Sequence, residues 1–176
     1  MKSYIALLRG INVGGHKKIF MADLKMLFEK LGFKNVQTYI QSGNVIFQTD
    51  DVNKTMMEQK IKDQLLVNFG YDVTVLVKTP SEIRSILNDC PFEKNKKENS
   101  YFTLLHTSPK EESIESTNKL SYPNEEFFIT NTCIYFYSSV GYGNVKFNNN
   151  LIEKKLGVSS TSRNFRTLNK LLQMTS

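Results

Sequence analysis

The sequence predicts an α+β protein built from two ferredoxin-like halves of the βαββαβ type, the second of which lacks a clear final strand. Short β-branched and aromatic runs alternate with amphipathic helical patterns, two hairpin patterns occur, and the order of the elements repeats along the chain. The 176 residues are 40% hydrophobic and 23% charged, which is typical of a globular protein and not of a disordered, collagen-like or disulfide-rich chain. A chain of this length can bury one large core or two smaller ones without disulfides.

The first half, residues 1–78, contains every element of this order. Its hairpin is predicted to turn through Ser42 and Gly43, and its two helices are predicted to end at Gly32 and Gly70. The predicted elements are a strand over 3–8, a helix over 20–31, strands over 36–41 and 44–48, a helix over 55–69 and a strand over 73–78. This order is the split βαβ arrangement of a ferredoxin-like unit.

Residues 79–100 predict a helix followed by a polar linker. Thr79, Pro80 and Glu82 have the order of an N-cap, a first-turn proline and the glutamate of a capping box. The linker is the polar stretch 93–100.

Residues 101–176 predict a second ferredoxin-like half that ends in two short helices. Its final strand is expected to be missing or very short, because the pattern around Thr161 and Ser162 predicts the start of the last helix. Both faces of its hairpin are apolar, so we expect the two sheets, or a sheet and the last helices, to close on each other and to leave a cleft lined by tyrosines.

Basic residues are concentrated at the two ends of the chain. The net charge is +6, with +4 in residues 1–22, +5 in residues 127–176 and −3 between them. Segregated positive charge favours an anionic partner, although chance unevenness explains it about equally well.

The segment between the first strand and the first helix carries three glycines and three cations within ten residues. Glycines permit φ > 0 and can turn successive N–H groups into one concavity that holds a phosphate or carboxylate. The spacing matches neither a dinucleotide-binding fingerprint nor a P-loop. The candidate anion-binding residues here are Arg9, Gly10, Asn12, Gly14, Gly15 and Lys17. An irregular connection that needs glycine for its turns is the alternative.

A second candidate anion site is predicted at the start of the last helix. Arg163 and Arg166 are expected in its first turn, where positive charge opposes the helix dipole, so a bound anion would account for them better than helix stability does. Thr161 and Asn164 would add hydrogen bonds to that anion. Pairing of either arginine with a carboxylate of another element is the alternative.

Three further residues are candidates for anion contact. Ser42 and Asn44 flank the first hairpin turn, where turn chemistry also explains both residue types. Lys146 follows a glycine-rich stretch over 141–145 that would bring its ammonium group toward the other cations.

The sequence contains no complete catalytic signature and no metal-ligand or cofactor motif, so we expect no metal and no cofactor and name no catalytic residue. Cys90 and Cys133 are far apart and predict reduced thiols. The early apolar run stops at Arg9 and is too short for a signal peptide or a membrane span. We therefore expect a cytoplasmic protein with no membrane partner.

Four segments resemble a known bacterial family, the one catalogued as domain of unknown function 1697. They are residues 7–15 (LLRGINVGG), 39–47 (YIQSGNVIF), 153–157 (EKKLG) and 161–164 (TSRN). The resemblance spans nearly the whole chain and implies a small cytosolic bacterial protein without an established activity, so it supplies no catalytic residue. One departure is Val145, where the family pattern Gly-x-Ser-Lys-Leu has serine before the lysine.

These observations favour an anion-binding protein that binds nucleic acid through its glycine-rich basic loop and its basic C-terminal helix start. An enzyme or sensor for a small phosphorylated ligand or nucleotide, held in a cleft between the halves, is one alternative. A protein-interaction module whose basic ends meet an acidic partner is another.

Overall fold

The computed structural model describes residues 1–143 and 145–175, and within them the chain forms two compact units. The first unit holds Met1–Ser85 together with the end of the last helix from Lys170, and the second unit holds Ile86–Asn169. Their boundary lies inside one helix, seven residues beyond the boundary at residue 78 that the sequence predicts.

The first unit contains a four-stranded antiparallel sheet in the order β2-β3-β1-β4. Its elements are β1 (Lys2–Leu8), α1 (Met21–Lys30), β2 (Lys34–Tyr39), β3 (Asn44–Thr49), α2 (Lys54–Phe69), β4 (Val75–Lys78) and α3 (Pro80–Asn88), the last of which crosses into the second unit. The strand order confirms the ferredoxin-like prediction, since β3 lies between the two strands that α1 connects.

The second unit repeats this topology, with the strand order β6-β7-β5-β8. Its elements are α4 (Lys94–Glu98), β5 (Tyr101–Leu105), α5 (Glu111–Asn118), β6 (Glu125–Ile129), β7 (Cys133–Ser138), α6 (Asn149–Leu156), β8 (Ser160–Asn164) and α7 (Phe165–Met174), which ends in the first unit. The α+β class with two ferredoxin-like halves is therefore confirmed.

The prediction that the second half lacks a clear final strand is wrong. Strand β8 pairs with β5 from Leu105 opposite Ser160 to Tyr101 opposite Asn164. Its sequence, STSRN, has no apolar alternation and consists of residue types that favour helix N-caps, so the local pattern predicted a helix start. Pairing with a buried neighbouring strand overrides that local preference.

Each unit has its own apolar core between its sheet and its helices. In the first core Phe47 lies within ring-contact distance of Tyr4, Phe28 and Phe33, and its closest ring centroid is 4.4 Å away. In the second core Phe147 stacks on Phe127 at 3.9 Å. Phe47 and Phe127 are the hairpin residues in these contacts, and they pack on the cores because successive strand residues face opposite sides of a sheet.

The start of α3 is the capping box that the sequence predicts. The backbone N–H of Thr79 donates to Glu82 Oε2 at 2.8 Å, and the backbone N–H of Glu82 donates to Thr79 Oγ1 at 3.2 Å. Lys54 also contacts the Glu82 carboxylate, at 2.5 Å. Burial acts to raise the pKa of Glu82, but the Lys54 ammonium and the Thr79 amide outweigh it and lower the pKa.

Replacing Glu82 by Gln is expected to reduce the decrease in the free energy of unfolding that accompanies a fall in pH. Because the pKa of Glu82 is lower in the folded chain, its ionised form stabilises the fold above the unfolded pKa, and this contribution disappears as the pH falls through the folded pKa. Urea unfolding of wild type and Glu82→Gln should therefore differ at pH 7 and converge near pH 2 to 3. Glu115→Gln, at an exposed position of α5, is the control. An equal difference at both pH values would contradict the prediction.

Candidate functional site

The connection between β1 and α1, residues 9–20, is called the glycine loop here. It turns through five left-handed residues, namely Gly10, Asn12, Gly14, Gly15 and Lys17. Such a dense run of positive φ values folds the loop back on itself, which brings the backbone N–H of Asn12 to the carbonyl of Lys17 at 3.2 Å. The sequence prediction of an irregular, glycine-dependent connection describes this segment well.

The side chain of Asn12 joins both ends of the glycine loop to the first hairpin. Its Oδ1 accepts the backbone N–H of Ile19 at 2.9 Å, and its Nδ2 donates to the carbonyls of Ile19 at 2.9 Å and Gln41 at 2.8 Å. A single carboxamide therefore satisfies three backbone groups that have no partner in a strand or helix. The predicted role of Asn12 in anion contact is replaced by this structural one, because both its polar atoms are already engaged.

The hairpin turn packs directly on the glycine loop. The predicted two-residue turn is wrong, because residues 40–43 all lie between β2 and β3. Gly43 has φ +78°, and a Cβ there would lie 2.7 Å from Leu8 Cβ and 2.8 Å from Ile11 Cδ1. Glycine at this position is thus required both by the backbone conformation and by the approach of the loop.

Asn44 and Lys17 also make hydrogen bonds to other groups of the protein. Asn44 is fully buried, and its Nδ2 donates to the carbonyl of Tyr39 and to Ser42 Oγ, each at 2.9 Å. Lys17 Nζ donates to the carbonyl of Asp72 at 2.5 Å. Ser42 and Asn44 therefore hydrogen-bond within the hairpin turn, whereas Lys17 bonds to the segment between α2 and β4.

Three apolar side chains are exposed beside the Asn12 contacts. Val13 is 61% exposed, Phe20 79% and Ile40 50%, and each is the chain neighbour of a residue in the Asn12 hydrogen-bond set. His16 and Lys18 are exposed in the same loop. We call these five side chains the loop patch.

The sequence pattern did not predict the loop patch. The predicted helix over 20–31 begins with Phe20, and the predicted strand over 36–41 includes Ile40. Phe20 instead precedes the first residue of α1, and Ile40 lies beyond the end of β2 with φ +50°. Left-handed backbone is unusual for a β-branched residue, so the strand pattern of the sequence did not predict the conformation of Ile40.

Arg9 and the three glycines of the loop differ in exposure. Arg9 is half-buried, and its backbone N–H donates to the carbonyl of Thr74 at 2.9 Å. Gly10, Gly14 and Gly15 are exposed.

Arg163 does not lie in a helix. It is in β8, only 8% exposed, and its Nη1 donates to Thr161 Oγ1 at 3.1 Å and to the carbonyl of Ser162 at 2.8 Å. Burial lowers the pKa of its guanidinium to about 10. The prediction that Arg163 opposes the dipole of the last helix is therefore wrong, because strand pairing places it in β8, two residues before α7 begins at Phe165.

Asn164 and Arg166 lie at the true start of α7. Asn164 Oδ1 accepts the backbone N–H of Thr167 at 2.8 Å, so Asn164 is the N-cap and its carboxamide closes the first turn. Arg166 is exposed in that turn, as the sequence predicts. Of the four residues predicted here, Thr161 and Arg163 are buried, and Arg166 is the one whose exposed charge suits an external anion.

Lys146 lies beside a carboxylate of the protein itself. The backbone N–H groups of Lys146 and Phe147 donate to the two oxygens of Glu125, at 2.7 and 2.9 Å. Asn144, in the glycine-rich stretch before it, lies outside the described residues. The prediction concerned the ammonium group of Lys146, whereas these contacts are made by backbone amides, which bind the side chain of Glu125.

Over residues 1–143 and 145–175 no three His, Cys, Asp or Glu side chains come close enough together to hold a metal ion. Across the same residues, every helix is too short or too polar to cross a membrane.

Comparison with protein families shows to which family this chain belongs. Residues 1–135 match the family model described as "Protein of unknown function (DUF1697)". The chain belongs to the DUF1697 family. A similar solved structure is that of the conserved bacterial protein SP0830 from Streptococcus pneumoniae, with a TM-score of 0.75 and 24% identity over 99% of this chain and 98% of that one. No curated protein matches the chain.

The SP0830 structure shares the fold with this DUF1697 protein. The region matched by the family model includes both the glycine loop and the hairpin turn. The two segments that carried the sequence resemblance in the first half, 7–15 and 39–47, are thus the segments that the Asn12 side chain and the Gly43 contacts hold together.

Replacing Gly43 by Ala is expected to destabilise the DUF1697 protein much more than replacing Gly10 by Ala. Both positions have positive φ, which costs alanine about 1 kcal/mol, but only Gly43 lacks space for a Cβ. Overpacking adds about 1 to 3 kcal/mol, so urea unfolding should show a loss of about 2 to 4 kcal/mol for Gly43→Ala. Equal losses for the two variants would show that the loop does not press on the turn.

Replacing Asn12 by Ala is expected to lower the free energy of unfolding by about 1.5 to 4.5 kcal/mol, because three hydrogen bonds worth about 0.5 to 1.5 kcal/mol each are lost. Asn68→Ala, which removes an exposed contact within α2, is the control and should change stability by less than about 0.5 kcal/mol. Hydrogen exchange of the Ile19 amide should also become faster in Asn12→Ala. Unchanged protection of that amide would argue against the Asn12 contact.

Proposed function

We propose that this DUF1697 protein binds single-stranded nucleic acid through the loop patch. The observation that carries the proposal is the 79% exposed Phe20, two residues along the chain from the exposed Lys18 of the glycine loop. Aromatic rings on which bases stack, combined with positive charge for the phosphates, are the two elements of sequence-tolerant single-strand binding.

The charge around the loop patch supports the same partner. Residues 1–22 contain four Lys or Arg residues and no acid, and Lys18 is exposed within them. His16 is exposed as well and would add charge when protonated. A phosphate backbone is the polyanion whose binding such a surface favours, because each neutralised phosphate releases a counterion.

The rigidity of the loop supports recognition at this position. The three Asn12 hydrogen bonds and the Gly43 contacts hold Val13, Phe20 and Ile40 on one framework before any ligand arrives. A preformed surface loses less conformational entropy on binding than a mobile one.

The sheet face used by RNA-recognition domains of the same topology is not the proposed surface. Phe47, the aromatic residue of the β3 segment, is fully buried between the sheet and the helices and has no face available for a base. Binding is therefore assigned to the loop and not to the strands.

A second candidate function is the docking of an acidic protein partner. Exposed apolar side chains rimmed by charge are typical of protein interfaces, and Val13 and Ile40 add such surface to Phe20. The nucleic-acid proposal explains the aromatic ring and the cations together, whereas protein docking explains Val13 and Ile40 more directly.

Replacing Phe20 by Ala is expected to weaken binding of labelled single-stranded RNA and DNA by about 5- to 100-fold, because base stacking contributes about 1 to 3 kcal/mol. Replacing Lys18 by Ala is expected to reduce the salt slope of the binding constant by about 1. Fluorescence anisotropy over a series of salt concentrations measures both effects.

Two variants on helices of the first unit serve as matched controls. Val67→Ala removes a 76% exposed apolar side chain from α2, and Lys30→Ala removes an exposed cation from the last turn of α1. Neither should change binding. Absence of binding to both nucleic acids at low salt, or equal effects of Phe20→Ala and Val67→Ala, would refute the proposal and favour protein docking.

A further inference from the structure

A cleft of about 370 Å³ opens at one end of the second sheet, where β5 begins and β7 ends. We call it the tyrosine cleft, since three of its walls are tyrosine rings. The residues of the cleft that matter here are Asn99, Tyr101, Tyr137, Ser138, Ser139 and Tyr142. We propose that the tyrosine cleft binds a planar, uncharged heterocycle of the nucleobase or nucleoside class.

One of the residues that line the cleft has a buried hydroxyl group without a hydrogen-bond partner. Among the described residues and their contacts, Ser138 Oγ is buried and makes no hydrogen bond. Buried polar atoms are nearly always paired, because leaving one unpaired costs free energy. Ser138 ends strand β7 and lines the cleft, so a ligand that enters there can supply the missing hydrogen bond.

The tyrosine walls are held in place before a ligand binds. Tyr101 and Tyr142 stack with ring centroids 3.9 Å apart and an interplanar angle of 22°. The Tyr142 hydroxyl is hydrogen-bonded to the Ser162 hydroxyl, which donates to Asn149 Oδ1 at 2.7 Å. Side chains fixed in this way at both the ring and the hydroxyl form a preorganised wall.

Tyr137, the third ring, is fixed by its own neighbours. Lys96 Nζ lies 5.6 Å from the centroid of the Tyr137 ring, and Phe92 meets that ring edge-on at 6.5 Å. Lys96 is also paired with Glu126 at 2.7 Å, so its charge is already balanced. The cation therefore orients Tyr137 and does not turn the cleft into an anion site.

The lining of the cleft determines the class of ligand. All of its lining side chains are uncharged, and they offer hydroxyl and amide groups as donors and acceptors. Aromatic walls favour a flat ring, and small-molecule sites have volumes of about 300 to 1,000 Å³. A cleft without a carboxylate is poorly suited to the many hydroxyl donors of a pyranose sugar, so a heteroaromatic ring fits better.

The inference does not rest on the proposed function, because the loop patch and the tyrosine cleft belong to different units.

The test is a titration of the full ¹⁵N-labelled chain with adenosine, guanosine, cytidine and uridine, followed by amide chemical shifts. At least one nucleoside is expected to produce saturable shifts at Ser138 and Ser139. Ser138→Ala should weaken that binding about 2- to 10-fold, the loss expected for one hydrogen bond. Its urea midpoint should be unchanged or higher, because Ser138 Oγ has no partner to lose.

Two further variants make the outcome unambiguous. Ser139→Phe, at an exposed position on the rim, should fill the cleft and abolish the shifts, and it decides the question if Ser138→Ala fails to fold. Ser116→Ala on α5 removes an exposed hydroxyl elsewhere and should leave binding unchanged. No saturable shift with any nucleoside, or equal shifts with glucose, would overturn the inference. Nucleoside shifts confined to residues 13–20 would overturn this site while leaving the proposed function intact.

Discussion

The three hydrogen bonds of the Asn12 carboxamide are the contacts on which the candidate functional surface depends. They link the glycine loop at Ile19 to the hairpin turn at Gln41, two segments that are 22 residues apart in the chain. Asn12 reaches both because its own backbone is left-handed, with φ +55°, a conformation that asparagine tolerates better than most residues. Once these segments are joined, the side chains next to them face solvent, and the exposure of Val13, Phe20 and Ile40 follows.

The two units use one topology for different purposes. In the first unit the connection from the first strand to the first helix covers residues 9–20, whereas in the second unit the equivalent connection covers only residues 106–110. The long connection has room for the glycine loop and its exposed patch. The second unit carries its cleft at the other connection, after β7, where Tyr142 stacks on Tyr101. Duplication of a fold therefore does not duplicate a site, because sites are built from the loops.

Polar residues that resemble ligands in the sequence often act as internal partners in the fold. Asn164 caps α7, Lys17 binds the carbonyl of Asp72, and Glu125 accepts the amides of Lys146 and Phe147. Asn, Ser, Lys and Glu satisfy backbone groups with the same atoms that would bind a ligand. The residue type alone cannot separate the two roles, whereas the hydrogen-bond partners can.

The sequence by itself determined the α+β class, both ferredoxin-like halves apart from the last strand of the second, the capping box at Thr79, the helix end at Gly70 and the family. These features depend on local patterns and on short motifs, whose structural preference does not depend on the rest of the fold. Only the tertiary structure decided that residues 160–164 form a strand, that Arg163 is buried, that Phe20 is exposed and that Ser138 Oγ lacks a partner. Each of these facts depends on which other segments of the chain pack against the residue in question. Strand pairing and burial are properties of the contacts between elements, and the residues of a single element do not determine them.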